Sequence, residues 1–199
     1  MKARFVNVRG CNGTGKTHLL RALVALYAAE AVLHVVKVPA HAEIPVTVVP
    51  GKFVVLGNYT ASGAASTTAG CDRIKTQQAA KDALETLARD IPDVPILFEG
   101  VVISTIFVPW LEWERKNGGM VWAFLDTPLD VCLSRIQARN GGKPVKTEQI
   151  AGKHRTIDRV RKKANLVGAQ THVLVYQNAL EELGWLLRKL KGGDTDYEH

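Results

Sequence analysis

The stretch Gly10 to Thr17, GCNGTGKT, constrains the fold of this chain more than any other. Gly10, Gly13 and Gly15 let backbone N–H groups curl around phosphate oxygens where side chains would collide, and a lysine followed by a hydroxyl residue closes the loop. Such a loop works between a strand and a helix, whose N-terminus adds positive potential. Both neighbours are legible. Arg4 to Arg9 (RFVNVR) carries Phe5, Val6 and Val8 as a buried strand, and Thr17 to Glu30 places Leu19, Leu20, Leu23, Val24 and Tyr27 at helical spacing. The loop predicts a triphosphate site formed by Gly10, Asn12, Gly13, Thr14, Gly15, Lys16, Thr17 and His18. Lys16 is expected on the β and γ phosphates and Thr17 on Mg²⁺, so ATP and Mg²⁺ are the expected cofactors.

Downstream, apolar runs alternate with helical patterns. Val32 to Val38 is rich in β-branched residues, and Val46 to Val49 with Lys52 to Leu56 reads as a hairpin turning at Pro50-Gly51. Thr76 is an expected N-cap for a helix to Asp90. Val94 to Phe98 and Met120 to Leu125 are continuous apolar strands. One helix is predicted from Ser104 to Lys116, and another from Pro128 to about Arg139. The strand Thr171 to Tyr176 and the helix Ala179 to Leu190 close the pattern. The expectation is a three-layer α/β fold with a mostly parallel central sheet and an Arg-rich lid over roughly 140–163. The chain, 199 residues long, is read as one domain over 1–191 with a disordered tail over 192–199.

Three further groups carry chemistry. Glu99 ends the strand ILFEG, where a carboxylate lies beside the phosphate loop and can organise Mg²⁺ with Thr17 or take a proton from an attacking hydroxyl. Arg135 and Arg139 are one helical turn apart, share a face, and can neutralise a phosphoryl group in flight. Lys16, Glu99, Arg135 and Arg139 are thus the expected catalytic set. Between Gly57 and Lys75 lies a long polar loop nearly without large apolar side chains, the kind of segment that recognises substrate. Within and just beyond it, Tyr59 is expected to stack on a base, and Asp72, Arg73, Lys75 and Gln77 to bond its edge or a phosphate.

Composition narrows the partners. A formal charge of +7 favours anions, nucleic acid among them. Cys11, Cys71 and Cys132 are too widely separated for a disulfide framework or a CxxC pair, which points to a reduced, cytoplasmic setting. No signal peptide and no apolar span suited to a bilayer is readable, so no membrane partner is expected. His34, His41, His154 and His172 lack zinc-ligand spacing. Neither an NKxD nor a DxxG signature occurs, which disfavours a GTPase. Oligomeric state is not readable.

With loop, acid and arginine pair together, the chain resembles the P-loop nucleoside and nucleotide kinases over nearly its whole length. More narrowly, YTASGAASTTAGCDRIKTQ, ILFEGVVIS and LDTPLDVCLSRIQARNGGKPVK resemble the phage kinases of thymidine hypermodification that act on 5-hydroxymethyluracil DNA. That resemblance implies ATP-dependent phosphorylation of the base hydroxymethyl group, with DNA containing 5-hydroxymethyluracil as acceptor and the host cytoplasm as location. Thymidylate kinases usually carry DR[YF] after the acid-bearing strand, whereas here Glu99 is followed by Gly100-Val101-Val102. Two alternatives stay open from the residues: a kinase of a free nucleotide or other small hydroxyl compound, and a DNA-binding ATPase without an acceptor.

Overall fold

The computed structural model describes residues 4–39, 43–60 and 70–192. Three consecutive apolar runs form its centre: β1 (Phe5–Arg9), β5 (Ile96–Glu99) and β6 (Met120–Asp126). Strands buried on both faces read as apolar runs, as β5 and β6 do, whereas β1 alternates Val6 and Val8 with the buried polar Asn7 and Arg9. In all three, alternation shows in which layer each side chain enters. Phe5, Ile96, Phe98, Met120, Trp122 and Phe124 point to one apolar cluster, while Val6, Val8, Leu97, Val121, Ala123 and Leu125 point to the other.

Seven strands run in the order β2-β3-β4-β5-β1-β6-β7. β1 pairs in parallel with β5 and β6, and β4–β5 and β6–β7 are also parallel. β2 (Val32–Val36), β3 (Ile44–Val49) and β4 (Phe53–Leu56) add an antiparallel flank, with the expected hairpin between β3 and β4. The other edge is β7 (Thr171–Val175). α1 (Lys16–Ala25) and α7 (Ala179–Lys191) cover one face. α2 (Gln77–Asp90), α3 (Val101–Thr105), α4 (Val108–Asn117), α5 (Leu129–Arg139) and α6 (Thr147–Leu166) cover the other. No helix among the described residues is long and apolar enough to cross a membrane.

Local chemistry explains several boundaries. Thr76 caps α2 by accepting from the Ala79 N–H at 3.1 Å. The helix expected from Ser104 to Lys116 is instead two, broken at Ile106 and Phe107. Pro109 has no N–H for the Thr105 carbonyl and its ring would strike that carbonyl, so one continuous helix cannot pass. Pro109 opens α4 instead. The expected lid also differs: beyond the loop over 140–146 it is the twenty-residue α6, whose Ile150, Ile157, Val160 and Ala164 are buried in the core. α1 ends at Ala25 rather than Glu30, with turns over 26–30.

The tryptophans are structural. Trp110, Trp113 and Trp122 are buried, with Phe98–Trp110 ring centroids 5.2 Å apart and Trp110–Trp113 centroids 5.6 Å apart. Aromatic pairs at such separations add about 0.5–1.5 kcal/mol beyond their buried area. This cluster stiffens the layer beneath β5 and α3. His41, residues 61–69 of the polar loop and the tail from 193 onward lie outside the described residues.

Candidate active site

β1 delivers the chain to Gly10 at the centre of the sheet, between the ends of β5 and β6. Gly13 has φ of 83°, and a Cβ there would sit 2.4 Å from the Cys132 carbonyl oxygen, so only glycine fits. The Thr14 hydroxyl donates to the Cys11 carbonyl at 2.9 Å and folds the loop on itself. Gly15 is the N-cap of α1 and brings no capping side chain, which leaves the first N–H groups of the helix to an anion. Lys16 is buried, and its ammonium donates to the carbonyls of Gly10 at 2.9 Å and Cys11 at 3.2 Å. His18 is exposed on the cleft wall.

Glu99 lies across from this loop, 1% exposed. One carboxylate oxygen, Oε1, accepts both the Thr17 hydroxyl at 2.8 Å and the Tyr59 hydroxyl at 3.0 Å. Burial pushes the Glu99 carboxyl above the usual carboxylate range, opposed by the Lys16 charge and by the two hydrogen bonds. The polar residues are thus arranged around one buried carboxylate, their hydrogen bonds and the Lys16 charge favouring its charged form.

The remaining expected residues divide. Arg135 donates through Nη1 to the Thr14 carbonyl at 3.1 Å and lies 5.7 Å over the Tyr176 ring, which ties α5 to the phosphate loop. Arg139 joins Arg135, Lys16, Thr17 and Glu99 in the wall of one open cleft of about 560 Å³. Asn12 accepts from Lys153 of α6 at 3.3 Å. Asp72 is in the cleft wall, while Arg73 and Lys75, both exposed, and Gln77, half-buried, lie outside it.

Two expectations about the polar loop are corrected. Tyr59 is buried within the α1-side cluster with its hydroxyl on Glu99, so its ring offers no face to a base. Asp72 does not point both oxygens at a substrate: Oδ2 accepts from the Val101 N–H at 2.9 Å and Oδ1 from the Val102 N–H at 3.3 Å, capping α3.

A family model described as 5-hmdU DNA kinase matches residues 2–178. The chain belongs to the 5-hmdU DNA kinase family. It is 53% identical over 190 residues to the 5-hmdU DNA kinase of Pseudomonas phage M6, covering 94% of this chain and 99% of that protein. It is 33% identical over 143 residues to 5-hmdU DNA kinase 1 of Salmonella phage ViI, covering 68% of this chain and 59% of the relative. A 5-hmdU DNA kinase of Pseudomonas phage PaMx11 matches at 28% over 153 residues, 71% of this chain and 72% of the relative.

In this member of the 5-hmdU DNA kinase family, sequence reasoning missed several residues that hold the site together. The Ser104 hydroxyl accepts from the Gly10 N–H at 3.2 Å and donates to the Gly100 carbonyl at 2.6 Å. Arg9, fully buried, donates to the Ser104 and Ile106 carbonyls at 3.2 and 2.9 Å and stacks on Trp122 at 3.9 Å. The Thr127 hydroxyl donates to the Thr14 carbonyl at 2.9 Å. Of these only Thr127 had a signal, its place just after an apolar strand. Cys11 and Cys132, whose sulfurs are 4.0 Å apart, share a hydrogen bond that draws the Cys11 thiol down to about 7. Arg155, Arg159, Arg161 and Lys162 of the basic stretch line a second cavity of about 390 Å³ whose other wall includes Gly10, Cys11 and Thr14 of the phosphate loop.

Proposed function

We propose that this protein transfers the γ-phosphoryl group of ATP to the hydroxymethyl oxygen of 5-hydroxymethyluracil in DNA, yielding the 5-phosphomethyl base and ADP. The observation that carries the reading is the meeting of Lys16, Thr17, Glu99 and Arg139 in one cleft whose phosphate side is a glycine loop at a helix N-terminus. Its relatives in Pseudomonas phage M6 and Salmonella phage ViI are 5-hmdU DNA kinases, which supports this acceptor.

The donor set fits a magnesium triphosphate. A Cβ at Gly10 would come within 2.5 Å of the Thr14 hydroxyl, and one at Gly13 would strike the Cys132 backbone, so the backbone is free to cradle phosphate oxygens only because both are glycine. Thr17 and Glu99, joined at 2.8 Å, would hold Mg²⁺ and its waters. A metal ion held there would supply positive charge against the phosphates. Lys16 binds the same phosphates, Arg139 stabilises charge on the phosphoryl group during transfer, and Arg135 braces the phosphate loop beside it through the Thr14 carbonyl. Glu99 orients the acceptor hydroxyl and takes its proton. Because Glu99 is buried at the base of the cleft, the acceptor nucleotide is extruded from the duplex to reach it. The net charge of +7 supplies sequence-independent attraction to the DNA backbone.

The test offers labelled ATP with 5-hydroxymethyluracil duplex, unmodified duplex and free mononucleotides. Label is expected only in the modified duplex. Label confined to mononucleotides rejects the DNA acceptor, and acceptor-independent ATP hydrolysis alone rejects the kinase reading.

A further inference from the structure

The short helix α3 touches the reaction through none of its own side-chain chemistry, yet three separate parts of the site are bonded to it. At its start, Asp72, from the single-turn 3-10 helix Gly70–Arg73, accepts the N–H groups of Val101 and Val102. Within it, the wholly buried Ser104 hydroxyl stands between the first residue of the phosphate loop and the peptide after Glu99: Gly10 N–H donates to it at 3.2 Å, and it donates to the Gly100 carbonyl at 2.6 Å. At its end, the Arg9 guanidinium takes the carbonyls of Ser104 and Ile106. A further contact repeats the pattern. Gly70 packs so closely on Glu99 that a Cβ there would lie 2.8 Å from the Glu99 carbonyl oxygen and 2.7 Å from the Tyr59 hydroxyl.

We infer that Ser104 is a positioning residue for phosphoryl transfer, with α3 acting as a strut that sets the distance between the phosphate loop and Glu99. The physical reason lies in the topology. β1 and β5 are neighbouring parallel strands, so the ladder holds Val8 opposite Glu99 but ends there. Beyond the ladder no strand-pairing bond joins the loop at Gly10 to the chain at Gly100. The Ser104 hydroxyl, donor to one and acceptor from the other, replaces the missing ladder bonds. Since Gly10 is buried, removal of the hydroxyl takes away the acceptor of its N–H, while the Gly100 carbonyl keeps the Ser104 N–H at 3.0 Å, and the phosphate loop loses its bond to α3. Displacement of a reacting group by about 1 Å costs on the order of 100-fold in rate. Asp72 does the same from the substrate side, holding α3 by its first turn.

The inference rests on the kinase reading above. The experiment measures, for wild type, Ser104→Ala, Ser104→Thr and Asp72→Ala, the kcat of transfer to 5-hydroxymethyluracil duplex, KM for MgATP and for DNA, the rate of ATP hydrolysis without acceptor, and the melting temperature. Ser104→Ala is expected to lose about tenfold or more in transfer kcat, with a smaller loss in acceptor-free hydrolysis and KM for MgATP within about threefold, because the distance from the phosphate loop to Glu99 matters most for transfer. Ser104→Thr, which keeps the hydroxyl, recovers most of the rate. Asp72→Ala, at an exposed site where folding is safe, lowers kcat and leaves KM for DNA in place. The inference is overturned if Ser104→Ala transfers at the wild-type rate, if transfer and hydrolysis fall together with the melting temperature, or if Asp72→Ala raises only KM for DNA. Wild type that labels no acceptor defeats the kinase reading instead, so the two failures are distinguishable.

Discussion

The two walls of the cleft are built in opposite ways. The phosphate wall is one continuous piece of chain, Gly10 to Thr17, folded on itself by bonds from Thr14 to Cys11 and from Lys16 to Gly10 and Cys11, and braced from outside by Ser104, Thr127, Arg135 and Lys153. The acceptor wall is assembled from Tyr59, Gly70, Asp72, Glu99 and Ser104, which belong to four separate stretches of chain and meet only after the sheet has formed. A wall made from consecutive residues is set by local conformation, and its binding task is the same for any triphosphate. A wall made from distant residues can change its acceptor when any one contributor changes. On the proposed reading the generic half of the reaction sits on the first wall and the specific half on the second.

Variants of the two walls should therefore fail differently. The largest effect is expected for Lys16→Ala, which removes charge from the transferring phosphates and lowers transfer by about a thousandfold or more, with acceptor-free hydrolysis lost as well; parallel measurement of both rates checks it. Next, Glu99→Gln is expected to cost roughly 100- to 1,000-fold in transfer. Retention of most acceptor-free hydrolysis in that variant would mark Glu99 as belonging to the acceptor wall, and equal loss of both would place it with the metal ion. The arginine pair sharpens the comparison. Arg139→Ala should lower kcat by about 100-fold, while Arg135→Ala, whose side chain is bonded to the Thr14 carbonyl, should chiefly raise KM for ATP, by about tenfold. The reverse assignment in steady-state kinetics would exchange their roles. The smallest effect is expected for Tyr59→Phe. Loss of one of the two hydrogen bonds on Glu99 Oε1 should reduce kcat by about three- to tenfold, with KM for DNA unchanged because the buried ring never meets the base. A rise in that KM would restore Tyr59 to base recognition.

These differences follow how each wall could be read in advance. The phosphate loop, the strands β1, β5 and β6, the β3–β4 hairpin and the Thr76 cap are local patterns, and each is where periodicity and turn chemistry put it. Glu99 was legible because a carboxylate at the end of an apolar run is costly to place without purpose. Tyr59 misled because aromatic residues in polar loops are commonly exposed, whereas this one is swallowed by the core formed by α1 and β5. Asp72 misled because its capping partners, Val101 and Val102, lie far along the chain. The break at Ile106 was written in Pro109, but its use, presenting two carbonyls to Arg9, was not.

By itself the sequence determined the alternation of strand and helix, the phosphate loop and the acid beside it, because those depend on residues within one or two turns of each other. Only the tertiary structure decided which oxygen of Glu99 is engaged and by whom, that Asp72 holds a helix, and that a buried serine spans the gap between β1 and β5 beyond their ladder. Those are contacts between segments tens of residues apart, and a hydrogen bond a few ångströms long is settled by how the layers pack, which no local pattern encodes.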